Sequence, residues 1–179
     1  VASNFYPAMK EIVLQYESHQ SQSSENHKIV LISGSSGKHF AQIINGAPFD
    51  IFFSADKARP TLLEKKGMSE SGSRFTYALG RLVLWSSLNG FIEKDERLYN
   101  NDLRFLAIAN PKIAPYGVAA RETLISINVW EDLQSKLVRG ENIAQTFQFV
   151  NSGNAKLGFI SYSQLRNPNY PLVGSFWEV

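Results

Sequence analysis

The chain has no cysteine, three histidines and two methionines in 179 residues. Without cysteine there is no disulfide, no thiolate metal site and no thiol nucleophile, and the redox state of the compartment leaves no mark on the sequence. Charge is sparse as well: charged residues make up 19%, and 18 Lys and Arg against 16 Asp and Glu leave a formal net charge of +2. The basic residues are scattered, without a run of five or six, which argues against a nucleic-acid partner or a membrane surface. No apolar run approaches the ~20 residues of a transmembrane helix. The histidines His19, His27 and His39 do not stand at metal-ligand spacing from one another or from a carboxylate. No basic and apolar leader opens the chain; Val1-Ala2-Ser3-Asn4 reads as the tail of a strand, consistent with removal of a signal peptide.

What is present is a hydrophobic content of 44%, enough for a sizeable core. Its spacing predicts a helix over 7–19 with Met9, Ile12, Val13 and Tyr16 on its apolar face, a helix over 38–45 with Phe40, Ile43 and Ile44 inward, a short helix over 60–66, a short buried strand over 28–32 and a strand over 50–53. Residues 18–26 read as a polar connector. The stretch 74–86, RFTYALGRLVLWS, is an apolar run interrupted by Gly80 and reads as a buried hairpin or as a crossover into a second lobe. The rhythm then restarts, with strands over 103–109 and 157–160 and helices over 117–127, 129–137 and 143–151. This alternation predicts an α/β protein with a mostly parallel sheet covered on both faces.

The most telling segment is Ile32–Asp56, ISGSSGKHFAQIINGAPFDIFFSAD. Its loop Ser33-Gly34-Ser35-Ser36-Gly37 offers hydroxyl and N–H donors and no side-chain charge before Lys38, just where a helix opens and its free N–H groups favour an anion. Similar openings recur at Ser3-Asn4, Ala114-Pro115-Tyr116-Gly117 and Glu141-Asn142-Ile143. Together they suggest an oxyanion receptor built from neutral donors. The loop is not a Walker A motif, because Ile32 and His39 stand where that motif needs a glycine and a hydroxyl residue, and it lacks the Rossmann glycine pattern. Ser54-Ala55-Asp56 has no nucleophile elbow around it, so Asp56 reads as a cap. No general base is apparent, and an enzyme is not expected. In Asn110–Gly117 two prolines stiffen the loop and Gly117 permits close backbone approach, so that Tyr116 projects its hydroxyl from a rigid support. Glu141 would repel an anion and should point outward.

Five segments in register carry a resemblance: Ala2–Phe5, the segment ending at Asp56, Tyr77–Ser86, AIANPKIAPYGVAARETL over 107–124 and GENIAQTFQFVNSGNAKLGFISYSQL over 140–165. Together they resemble the periplasmic molybdate-binding proteins of ATP-binding-cassette importers over nearly the whole chain. The resemblance implies a type II periplasmic-binding-protein fold: two α/β lobes, 1–82 and 83–179, with a ligand cleft between them. It implies a periplasmic monomer that binds molybdate or tungstate, has no cofactor, and serves an inner-membrane permease. The ligand donors would be Ser3, Asn4, Ser36, Tyr116 and the backbone N–H of Ile143, with Ser35 and Ser161 as marginal members; no metal would be held directly by side chains. Some relatives carry a ligand-binding tyrosine at the position of Ser161, and Tyr116 is expected to take over its role. The resemblance further implies that a C-terminal segment returning to lobe I is missing, which would leave that lobe with an exposed sheet edge. Sulfate receptors and anion-sensing regulatory domains are the alternatives.

Overall fold

The structure is a computed structural model that describes residues 1–20, 27–100, 102–167 and 173–179. Residues 21–26 of the expected polar connector lie outside the described residues. In the N-terminal part, α1 (Tyr6–Gln20), α2 (Ser36–Ile44) and α3 (Ala58–Lys65) surround three extended segments. Those segments are tied by few bonds: Ala2 pairs with Gly34 as a parallel bridge, and the Ala2 N–H donates to the Phe53 carbonyl at 2.9 Å. An aromatic cluster fastens the crossover segment to them, with Tyr77 4.7 Å from Phe5 and 5.4 Å from Phe53 between ring centroids.

The C-terminal part holds a five-stranded sheet of order β3-β2-β4-β1-β5. Its strands are β1 (Leu82–Ser86), β2 (Leu106–Ala109), β3 (Leu137–Gly140), β4 (Leu157–Ser161) and β5 (Ser175–Glu178). The expected lobe boundary at 82/83 falls between the first two residues of β1. Alternation along the strands splits the core. Leu84, Leu106, Ile108, Leu157 and Phe159 face one side, with Ala120 and Leu124 of α4 (Pro115–Ser126). Val83, Trp85, Ala107 and Ile160 face the other, with Phe147 and Val150 of α6 (Ile143–Asn151). Trp85 stacks on Phe147 with centroids 5.0 Å apart. Gly158 lets α6 press onto β4, since a Cβ there would lie 2.6 Å from Val150.

Several expectations are corrected. The sheet is mixed: β3, β2 and β4 run parallel, whereas β1 is antiparallel to both β4 and β5. The segments 28–32 and 50–53 form no strand ladder and are not buried; Val30 and Ile51 are 73% and 72% exposed. The run 74–86 becomes a strand only from Leu82, and Phe75 and Leu79 are exposed. In α2 the buried residues are Ser36 and His39, not the expected Phe40, Ile43 and Ile44. In α1, Met9 and Val13 are buried as expected while Ile12 and Tyr16 are exposed. The helix expected over 129–137 is shorter: α5 (Trp130–Leu133), a 3-10 turn over Gln134–Lys136, and then β3. The strand expected over 103–109 starts only at Leu106. No helix among the described residues is long and apolar enough to cross a membrane.

Candidate functional site

The site begins with four helix N-termini that meet. Two belong to the N-terminal part and two to the C-terminal part, and each contact crosses between them. Ser3, ahead of α1, accepts through Oγ from the Ala144 N–H of α6 at 3.4 Å. Asn4 donates through Nδ2 to the Tyr116 hydroxyl of α4 at 3.3 Å. The Gly37 N–H of α2 donates to the Ile113 carbonyl at 2.8 Å. Lys38 of α2 pairs with Glu141, just ahead of α6, at 3.7 Å. The circuit α1–α6, α1–α4, α2–α4, α2–α6 is therefore complete.

Local chemistry explains each opening. Ser35 caps α2, accepting from the Lys38 N–H at 3.4 Å; its oxygen is used within its own loop. Pro115 opens α4 at a position where no N–H is needed. Asn142 caps α6, taking the Ala144 and Gln145 N–H groups at 3.0 Å each. The Ile143 N–H, first in that helix, has no intrahelical carbonyl to meet. Ser161 and Gln164 form a capping box at the start of α7 (Tyr162–Leu165), and Gln164 Nε2 also donates to the Ile143 carbonyl at 3.1 Å.

The expected residues come together. Ser3, Ser35, Ser36, Tyr116, Ile143 and Ser161 are all buried. Ile143 and Tyr116 pack with Ala109 and Ala114, and Ala55 lies against that cluster. Ser36 Oγ accepts from the Ala55 N–H at 2.9 Å, which joins it to the same place. That bond uses an oxygen lone pair and leaves the Ser36 hydrogen to donate. Ser161 donates to the Tyr116 hydroxyl at 3.1 Å. Burial pushes the Tyr116 phenol above its ordinary value, against the smaller downward pull of the Ser161 bond, so it stays protonated at neutral pH. Asn4 Oδ1 is buried with no partner.

Charge stays outside. The Lys38 and Glu141 side chains are 55% and 66% exposed, as expected for Glu141. Asp56 accepts from the Arg59 N–H at 3.0 Å and pairs with the Arg59 guanidinium, which is the capping role its position suggested. Among the described residues no group of three or more His, Cys, Asp or Glu is placed to hold a metal ion. A hollow of about 360 Å³ lined by Gly90, Phe91, Glu93, Glu96, Arg97 and Asn100 shares no residue with this cluster.

Two contributors escaped sequence reading. Ser163 Oγ lies 2.7 Å from Ser161 Oγ; the S-x-x-Q spacing of Ser161 and Gln164 signalled the helix start that brings it there. Gly80 read only as a break in an apolar run, yet a Cβ there would lie 2.2 Å from the Tyr116 hydroxyl. Nothing local to Gly80 announces that contact.

A neutral, donor-lined junction between two α/β parts is the architecture of a small-solute receptor, and comparison with known proteins agrees. The bacterial extracellular solute-binding protein family matches residues 1–179. The molybdate-binding protein ModA of Azotobacter vinelandii is 45% identical over 180 residues, covering all of this chain and 69% of that protein. ModA of Rhodobacter capsulatus is 41% identical over 179 residues, covering all of this chain and 68% of that protein. The solved Azotobacter vinelandii periplasmic molybdate-binding protein superposes with a TM-score of 0.91 at 38% identity, over 99% of this chain and 76% of that one. The chain belongs to the bacterial extracellular solute-binding protein family, and its fold is that of a periplasmic binding protein with two α/β lobes.

Proposed function

We propose that the protein binds molybdate, and with it tungstate, as a tetrahedral oxyanion between lobes 1–82 and 83–179. It would act as a monomer without a cofactor in the periplasm and hand its ligand to the permease of an ATP-binding-cassette importer. The observation that carries this reading is the meeting of four helix N-termini through uncharged groups, closed on the solvent side by the Lys38–Glu141 pair. Ser3, Asn4, Ser36 and Tyr116 would donate from side chains and Ile143 from its backbone, while Ser35 and Ser161 would support rather than touch the ligand.

The chemistry of the donor set fits a fully ionised dianion. Molybdate carries no proton at neutral pH, so its oxygens only accept. A partly protonated anion such as phosphate gains from an acceptor facing it, whereas the Glu141 carboxylate is turned to Lys38 and solvent and that of Asp56, beside Ala55, is taken by Arg59. Each helix N-terminus acts as roughly +0.5 charge, so four of them oppose a dianion with about +2 and no lysine in contact. Asn4 Nδ2 has a second hydrogen beside the one given to Tyr116, and that hydrogen would meet the ligand, which leaves the phenol hydrogen free to donate as well. Ligand that touches both lobes only when they meet selects the closed arrangement.

Isothermal titration tests the reading. Molybdate and tungstate are expected to bind tightly at one per chain, with much weaker binding of sulfate, whose smaller tetrahedron cannot reach donors on both lobes at once. Equal affinity for sulfate would overturn it.

A further inference from the structure

Behind Tyr116 lies a short series of hydroxyls that the oxyanion reading does not use. Ser161 Oγ donates to the Tyr116 hydroxyl at 3.1 Å, and both side chains are buried. Ser163 Oγ is 2.7 Å from Ser161 Oγ. A serine hydroxyl has one hydrogen. Since that of Ser161 goes to Tyr116, the short contact requires Ser163 to donate to Ser161. The 2.7 Å contact is favoured over the Asn4 carbonyl, 3.5 Å from Ser163 Oγ, for the one Ser163 hydrogen, which gives the order Ser163 to Ser161 to the Tyr116 oxygen. With that oxygen accepting from both Ser161 Oγ and Asn4 Nδ2, the phenol hydrogen is directed away from both and is free to meet an acceptor at the lobe junction. Each donated bond polarises the next, which makes the terminal phenol a better donor than an isolated tyrosine.

The backbone gives the series little freedom. Ser161 ends β4 and caps α7, its N–H donating to Gln164 Oε1 at 2.9 Å. Strand β4 pairs with both β1 and β2, so the hydroxyl projects from the centre of the sheet. On another side, Gly80 leaves room for the phenol where a Cβ would be 2.2 Å from its oxygen.

We infer that Ser161, backed by Ser163, is a positioning residue that holds and polarises the Tyr116 hydroxyl as a hydrogen-bond donor across the lobe junction, acting through Tyr116 and not on the ligand itself. For its binding readout this rests on the oxyanion reading above.

The test is a double-mutant cycle with a spectroscopic arm. By molybdate titration, Ser161→Ala is expected to weaken binding about fivefold, the worth of one lost hydrogen bond, and Ser161→Thr, which keeps the hydroxyl, to restore most of it. In the Tyr116→Phe background Ser161→Ala should cost little more, because its partner is gone. Independently of any ligand, the ¹³Cζ resonance of Tyr116, assigned by its loss in Tyr116→Phe, should move in Ser161→Ala and return in Ser161→Thr. Full additivity of the two substitutions, or an unmoved Tyr116 resonance, would overturn the inference. If wild-type protein fails to bind molybdate, the functional reading falls, and the resonance alone decides for or against the positioning role.

Discussion

Ser36 shows how much one hydroxyl can be asked to do. It is fully buried, it accepts from the Ala55 N–H, and its hydrogen remains for an anion. Ser36→Ala removes a donor to a charged acceptor and also orphans the Ala55 N–H. It is expected to weaken molybdate binding by about 1–3 kcal/mol, read by isothermal titration. An unchanged affinity would take Ser36 out of the site. At this scale the helix openings at Ser3-Asn4, Ser36, Tyr116 and Ile143 were legible because cap chemistry is local, whereas their assignment as ligand donors came from the family resemblance. Gly80 was not legible, because the Tyr116 hydroxyl it makes room for is brought from elsewhere in the chain, whereas Ser163 lies two residues from Ser161 in a turn that the S-x-x-Q spacing marks.

Elements meet in the site through glycines as much as through donors. A Cβ on Gly37 would stand 2.5 Å from the Ile113 carbonyl, the same oxygen that its N–H bonds. Backbone on both sides leaves nothing flexible to move. Gly37→Ala is therefore expected to keep α2 and α4 apart, to weaken molybdate binding at least about tenfold, and to leave the liganded protein with a larger radius of gyration in small-angle scattering than wild type. A second glycine acts inside one lobe. A Cβ on Gly117 would lie 2.2 Å from the Ala109 carbonyl, so α4 rests directly on the end of β2. Gly117→Ala should lower stability by about 1–3 kcal/mol in urea denaturation. Here the element pattern was read well where periodicity is strong, as in α6, whose bounds agree with expectation. It failed for β3 and β5, four-residue strands whose partners supply their hydrogen bonds, and for 28–32, apolar in sequence but without a ladder to bury it.

Across the whole molecule the two lobes are unequal. The sheet lobe has a closed core on both faces, whereas Val30, Ile51, Phe75 and Leu79 of the other lobe are exposed. The same lobe carries a titration. His39 is buried between Gln42 Oε1 at 3.1 Å and the Val1 carbonyl at 3.3 Å. Burial is the main cause that holds its imidazole below the ordinary value, outweighing those two bonds. As pH falls through about 6.5 the unfolded chain takes up the proton first, so the stability His39 contributes is present above that pH and lost below it. The thermal midpoint should fall between pH 7 and 5, and fall less in His39→Gln.

The bonds that join Ser3 to Ala144 and Asn4 to Tyr116 link residues 141 and 112 positions apart. Contacts of such span close only after both lobes have formed, because the loop entropy of joining them is recovered last. The receptor surface should thus be absent from the transition state for folding. Stopped-flow measurements in urea are expected to show molybdate slowing the unfolding limb while leaving the refolding rate where it was: the cargo would act as a brake on disassembly and have no part in assembly.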